Sequence, residues 1–301
     1  MIYTLTQLGT LWDDRALLAE AEALVALLPT LIAQDDHLDV MGGAAGCIGG
    51  LLALHHRSPS TRTLAVALAC GEHLVARAQP MPHGVGWWNR HIPTTQPMTG
   101  FSHGAAGVAW ALLELAAAIG DERFRATALE GIAYERSLFS PHEGNWADLR
   151  DPAILGRGDD ERSGFMTAWC HGAPGVGLGR LRSLRHLDDT TVRAEIEAAL
   201  QTTLAHGFGH NHSLCHGDLG NLEVLLQADE TFDDPHWRAQ VDRIAAITLD
   251  NIDEHGWRCG VPLGVETLGL MTGLAGIGYG LLRLAEPLRV PAVLALAPPC
   301  V

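Results

Sequence analysis

Three short stretches decide how this chain is read: Ser102-His103-Gly104-Ala105-Ala106-Gly107, Cys170-His171-Gly172-Ala173-Pro174-Gly175 and Cys215-His216-Gly217-Asp218-Leu219-Gly220. Each is a Gly-x-x-Gly opening followed by an apolar, helix-like run. The same opening recurs in Met41-Gly42-Gly43-Ala44-Ala45-Gly46 and in Met271-Thr272-Gly273-Leu274-Ala275-Gly276. The five copies begin at Gly43, Gly104, Gly172, Gly217 and Gly273, at intervals of 61, 68, 45 and 56 residues. Such intervals fit two helices plus loops per copy.

The segments between the openings carry a second helical pattern. Val192, Ile196, Leu200 and Leu204 recur at spacing four, and Trp237, Val241, Ile244 and Leu249 are predicted to share a face. Period-two strands are nearly absent. Ser58-Pro59-Ser60, Gly120-Asp121-Glu122 and Asp188-Asp189-Thr190 supply N-caps for the second helix of three copies. A helix rich in Gly and Ala approaches its neighbours closely and suits an inner ring, while its amphipathic partner suits an outer one. The predicted fold is therefore all-α, an α/α toroid of inner and outer helices. Ile2–Glu22 matches the second half of a copy, by comparison with Leu115–Thr127, without its glycine opening, so the ring is expected to be incomplete at the N-terminus.

At 301 residues, 47% of them apolar, the chain is long enough to bury a large core. Its net charge of −15 argues against a nucleic-acid partner, which needs a basic stripe, and is compatible with an acidic cleft for a cationic peptide. Met1–Leu11 lacks the features of a secretory signal, and no apolar run reaches membrane-spanning length without Gly, His or charge, so a cytoplasmic protein is expected. Six cysteines spread over a chain this long favour metal or catalytic use over a disulfide framework.

If the copies are equivalent, their glycine turns lie at one end of the ring and the residues just before them converge. Those positions hold Ser102-His103, Cys170-His171 and Cys215-His216 in the middle copies. Cys170, Cys215 and His216 form a three-ligand zinc (Zn2+) set with one position left open; the competing reading makes both cysteines small core residues. His103 and His171 are the candidates to deliver a proton, against a helix-capping or supporting role. Asp39, just ahead of the first turn, either orients a histidine or caps a helix. His206, His210 and His212 crowd ahead of Cys215 and are read mainly as loop residues. Cys47, Cys70, Cys259 and Cys300 are read as structural. Pro80–Pro97, with Trp87-Trp88, is a long loop that either grips a peptide or is pinned by buried tryptophans.

At Gly100–Gly107, Trp169–Gly175 and Cys215–Asp218 the chain resembles the LanC-like cyclase domain of class II (LanM-type) lanthipeptide synthetases. The resemblance extends to Asn145-Trp146, Gly209–Leu214, Gly264–Thr267 and Gly278-Tyr279, and runs from about residue 1 to the end. It implies a double α-barrel with zinc on Cys170, Cys215 and His216, and Michael-type addition of cysteine thiols to dehydroalanine or dehydrobutyrine in a precursor peptide. It also places His103 and Asp39 on acid–base positions, with His171 following the first ligand cysteine. Residues 1–301 are then one such domain without the N-terminal dehydratase domain, lacking the first of seven inner helices and part of the second copy, and expected to work on a peptide dehydrated elsewhere, as by a separate dehydratase. Leu268 stands where the family pattern has proline. The alternatives are a truncated cyclase-like domain that only binds a peptide or partner protein, and another helical zinc toroid of the prenyltransferase kind.

Overall fold

The computed structural model describes residues 1–94, 96–150 and 164–300, so Thr95 of the Pro80–Pro97 loop lies outside the described residues. The described chain is a succession of helical hairpins. Helix α1 (Ile2–Leu11) pairs with α2 (Arg15–Val25), and a short α3 (Leu28–Ile32) follows. Helices α4 (Ala44–Arg57) and α5 (Thr61–Arg77), α6 (Ala105–Ile119) and α7 (Glu122–Arg136), α8 (Ala173–Ser183) and α9 (Thr190–His206), and α10 (Asp218–Phe232) and α11 (Pro235–His255) form four further pairs, and α12 (Leu274–Ala285) follows the last glycine opening. Two tiny antiparallel ribbons, Gln79–Pro80 with Val85–Gly86 and Phe139–Ser140 with Asn145–Trp146, decorate the loops.

Helices α1, α4, α6, α8, α10 and α12 pack side by side as the inner row, the first five each shielded by a hairpin partner, and the fold is the predicted α/α toroid. The division follows from composition. Helix α6 buries every residue from Ala105 to Leu113, whereas α7 buries a stripe that includes Phe124, Ala128 and Ile132. The predicted caps are in place: Ser60 Oγ accepts from Thr63 N–H at 3.3 Å, and Asp189 Oδ1 from Val192 N–H at 2.9 Å, while Asp121 caps α7. One periodicity expectation is corrected on α11, where Leu249 is 46% exposed and Thr248 and Ile252 take the buried positions. Leu249 stands five residues beyond Ile244, whereas a helical face returns after three or four, so it rotates out of the stripe.

The second glycine of each opening has a steric cause. A Cβ on Gly46, Gly107, Gly175, Gly220 or Gly276 would lie 1.7–2.2 Å from the carbonyl oxygen six residues earlier, where the incoming chain crosses the first helical turn. This forced crossing gives all five turns one shape, and they are tied edge to edge. Val40 N–H donates to Ser102 O (3.1 Å), Ser102 Oγ to Cys170 O (3.2 Å), Cys170 N–H to Cys215 O (3.3 Å), and Cys215 N–H to Met271 O (2.8 Å).

The C-terminal segment crosses the interior of the ring. Leu294 and Ala295 are buried, Trp169 Nε1–H donates to Leu294 O (3.2 Å), Tyr3 of α1 donates to Ala297 O (2.9 Å), and Tyr279 of α12 to Pro291 O (2.7 Å). Cys300 is exposed, so the expectation of a structural role for it is corrected; Cys70 and Cys259 are buried, as expected. No described helix is long and apolar enough to cross a membrane.

Behind the His103 turn lies a buried ion cluster. Glu135 Oε1 accepts from Gly100 N–H (2.9 Å) and Ala106 N–H (3.1 Å), and its Oε2 sits 3.0 Å from Arg180 Nη2, both side chains being fully enclosed. Burial raises the Glu135 pKa, and the Arg180 guanidinium opposes that rise. Glu135→Gln keeps the turn but leaves the buried Arg180 with Glu195 (2.7 Å) as its remaining carboxylate, so it should cost about 1.5–3 kcal/mol in chemical denaturation. Asp188→Asn, at the solvent-exposed pair with Arg193, should leave the midpoint unmoved. Equal effects from the two variants would contradict this reading of the cluster.

Candidate active site

The ligand atoms of Cys170, Cys215 and His216 all lie within 4.8 Å of one another, on the turns that open α8 and α10. Among the described residues this is the trio that could hold a metal ion. Cys170 is buried, and Cys215 and His216 are half-buried. The two thiols depend on each other: a hydrogen bond from Cys170, with help from His216, pulls the Cys215 pKa down to about 5, while the same pairing and burial push Cys170 up. The pair thus gives up one proton readily and resists a second, because two thiolates would face each other in a dry site. Two sulfurs and an imidazole around such negative charge match the donor preference of zinc, and three protein ligands leave its fourth position open.

Local structure explains how the ligands are aimed. Asn145 of the second ribbon accepts from Ala173 N–H with Oδ1 (2.7 Å) and donates to Met166 O with Nδ2 (3.2 Å), clamping the Cys170 turn onto the start of α8. Gly172 holds φ +85°, and a Cβ there would lie 1.8 Å from Met166 O. Behind His216 stands Gly260, where a Cβ would approach Nε2 to 2.9 Å.

His103, 26% exposed, places Nδ1 2.7 Å from Oδ2 of the buried Asp39. The carboxylate is held on every side: Oδ1 accepts from Gly42 N–H (2.8 Å), and Oδ2 also accepts from Asn89 Nδ2 (2.6 Å). Asp39 therefore both ties its turn and orients a histidine, and the first cap of α4 comes instead from Asp35, whose Oδ2 accepts from Ala44 N–H (2.8 Å). With the proton on Nδ1 directed at Asp39, neutral His103 leaves Nε2 free to accept.

His171 is 2% exposed, with its ring centroid 5.8 Å from that of His103. Burial, and then the nearby Arg150 charge, lower its pKa from 6.5 to about 3. A ring kept neutral in this way has no proton to deliver as an imidazolium near neutral pH. His212 is buried against Asn251 and the Arg258 backbone, His210 is exposed, and His206 is an exposed residue at the end of α9. In the Pro80–Pro97 loop, Trp87 is buried and donates to Leu74 O (2.8 Å), which fits pinning.

Sequence reasoning missed Asn89, Gly260 and Arg150. Arg150 grips the enclosed Asp148 with two bonds, Nε to Oδ1 (2.9 Å) and Nη2 to Oδ2 (2.6 Å), and its charge is felt at both cysteines and at His171. Asn89 carried a faint signal as the polar residue directly after Trp87-Trp88. Gly260 and Arg150 lie outside the glycine register and carried none.

A model of the lanthionine synthetase C-like protein family matches residues 1–295. The chain belongs to that family. Its sequence is 27% identical, over 205 residues and 64% of its length, to the lacticin 481/lactococcin biosynthesis protein LcnDR2 of Lactococcus lactis subsp. lactis. The match spans only 21% of that much longer relative. Among solved structures it is similar to nisin cyclase, with TM-score 0.55, 15% identity, and 98% of this chain and 89% of that one covered. It is also similar to the Lin0763 protein from Listeria innocua, with TM-score 0.60, 14% identity, and 94% and 83% covered. At these identities the structural likenesses establish the toroid and nothing finer.

Two outcomes follow from the geometry. Gly260→Ala should crowd Ser213 Oγ and the His216 ring and lower the affinity of the trio for a divalent metal, measured by chelator competition on the purified protein, by about tenfold; unchanged affinity would show that the ring has room. The folded protein resists protonating His171 until about pH 3, whereas the unfolded chain accepts that proton near 6.5. Stability contributed by the neutral ring is complete above pH 6.5 and is lost as pH falls through that window. His171→Asn should therefore flatten the acid limb of the stability profile of zinc-free protein, and an unchanged slope would contradict the assignment.

Proposed function

We propose that this chain is a zinc-dependent lanthipeptide cyclase, which adds a cysteine thiol of a precursor peptide across a dehydroalanine or dehydrobutyrine of the same peptide. The observation that carries the reading is the meeting of the Cys170, Cys215 and His216 ligand atoms within 4.8 Å, beside an Asp39–His103 pair, in a chain of this family. Zinc held there would supply Lewis acidity that lowers the pKa of a peptide thiol taking the open position.

His103 Nε2 accepts the thiol proton, and Asp39 steadies the imidazolium through Nδ1. The sulfur–Cβ bond forms as the C=C π bond breaks, and the electron pair moves onto the neighbouring carbonyl as an enolate. His103 then returns the proton to Cα, so the addition needs no oxidant or reductant. His171, neutral and buried beside it, packs against His103 and limits where that ring can swing. The substrate is a peptide that already carries its dehydroamino acid.

The test is a mass-spectrometric thiol-blocking assay on a dehydrated, cysteine-containing peptide, alongside zinc analysis. Wild type should hold stoichiometric zinc and remove the alkylatable thiol. Cys215→Ala should lose both, and His103→Asn or Asp39→Asn should keep zinc while slowing ring formation by about 10²–10⁴-fold. Thiol consumption by Cys215→Ala at the wild-type rate would overturn the reading. Zinc without thiol loss would leave a domain that binds peptide without catalysis.

A further inference from the structure

Beside His216 opens a cavity of about 630 Å³, walled by the His210–Asn211 turn and by the loop from His255 to Gly264. Its lining carries one fixed charge, that of Arg258, opposite in sign to the net charge of the protein. The chain has 35 acidic and 20 basic residues, yet among the described residues this cavity is lined by Arg258, His210, His216 and His255 and by no aspartate or glutamate. The carboxylates near these groups stand outside the lining: Glu254 is 3.9 Å from His255 Nδ1, and Asp218 is tied to Gly209 N–H at 3.0 Å.

Arg258 is anchored through its backbone, which donates N–H to His212 Nδ1 (3.0 Å) and accepts from His212 N–H (2.9 Å). Its guanidinium has no carboxylate partner within 4.0 Å among the described residues. At the rim, Leu263 is 99% exposed at φ +64°, a left-handed conformation costly for leucine, and Trp257 is 44% exposed. A strained backbone that turns a leucine fully into solvent beside a cavity holding an arginine has the character of a recognition surface.

We propose that this cavity is a carboxylate subsite for the peptide, with Arg258 binding an acidic side chain next to the attacking cysteine or the peptide's own terminal carboxylate, while Leu263 and Trp257 hold the adjoining apolar residue. The inference rests on the cyclase reading, since His216 joins the cavity wall to the ligand trio. It reverses the expectation of an acidic cleft for a cationic peptide at the point where the substrate meets the site. A guanidinium recognises a carboxylate with directed hydrogen bonds as well as charge.

The experiment measures fluorescence anisotropy and thiol loss with three labelled dehydroalanine–cysteine peptides: one with Glu after the cysteine and an amidated end, one with Gln and a free end, and one with Gln and an amidated end. One carboxylate peptide or both should bind wild type about fivefold tighter than the neutral one, and which of them does so identifies the carboxylate's source. Arg258→Gln should erase the difference and Arg258→Lys should retain part of it, both with wild-type zinc content. Equal binding of all three peptides, or discrimination that survives Arg258→Gln, overturns the subsite while thiol loss leaves the cyclase reading standing. Absence of both binding and thiol loss for every peptide overturns the cyclase reading and the subsite with it.

Discussion

The site depends on one run of contacts: the hydrogen bonds that tie successive glycine turns edge to edge, from Val40 to Ser102, Ser102 to Cys170, Cys170 to Cys215 and Cys215 to Met271. Each turn has the same crossed shape because its second glycine lets the chain pass over the first turn of an inner helix. Stacking identical turns around an axis brings the residue before each opening to one place. Cys170 and Cys215 are thereby neighbours across 45 residues of sequence, and His216 joins them from the same turn as Cys215. Slippage of one inner helix would separate ligands that no local sequence holds together.

Support for these turns comes from behind, where charge is buried and paired. Glu135 clamps the His103 turn and is itself held by Arg180, while Asn145 performs the same task for the Cys170 turn with a neutral amide. On the axial side the groups are held but incompletely satisfied: Cys215 inclines to thiolate, and His103 keeps one ring nitrogen free beyond its bond to Asp39. Rigidity behind and unspent donor and acceptor capacity in front suit the proposed reaction, in which a thiol is oriented and its proton moved.

Much of this was legible in the sequence because a repeat turns linear spacing into geometry. The glycine openings fixed where inner helices begin, Ser60, Asp121 and Asp189 marked where outer ones begin, and the shared register assembled Cys170, Cys215 and His216 before any coordinates. What escaped depends on loops without a repeat. Asn89 reaches Asp39 from the tryptophan loop, Arg150 follows a two-residue strand, and Gly260 and Arg258 lie on the connection to the last opening. Leu249 was misplaced for another reason: it stands five residues beyond Ile244, off the face that Thr248 and Ile252 continue at spacing four.

The central claim, that the turn register builds a zinc site, is tested most directly by zinc-edge X-ray absorption on the purified protein. The account predicts one zinc per chain bound by two sulfurs near 2.3 Å and a nitrogen near 2.0 Å, with a light-atom ligand completing a tetrahedron. A shell without two sulfurs, or protein that binds no zinc when it is supplied, would contradict it.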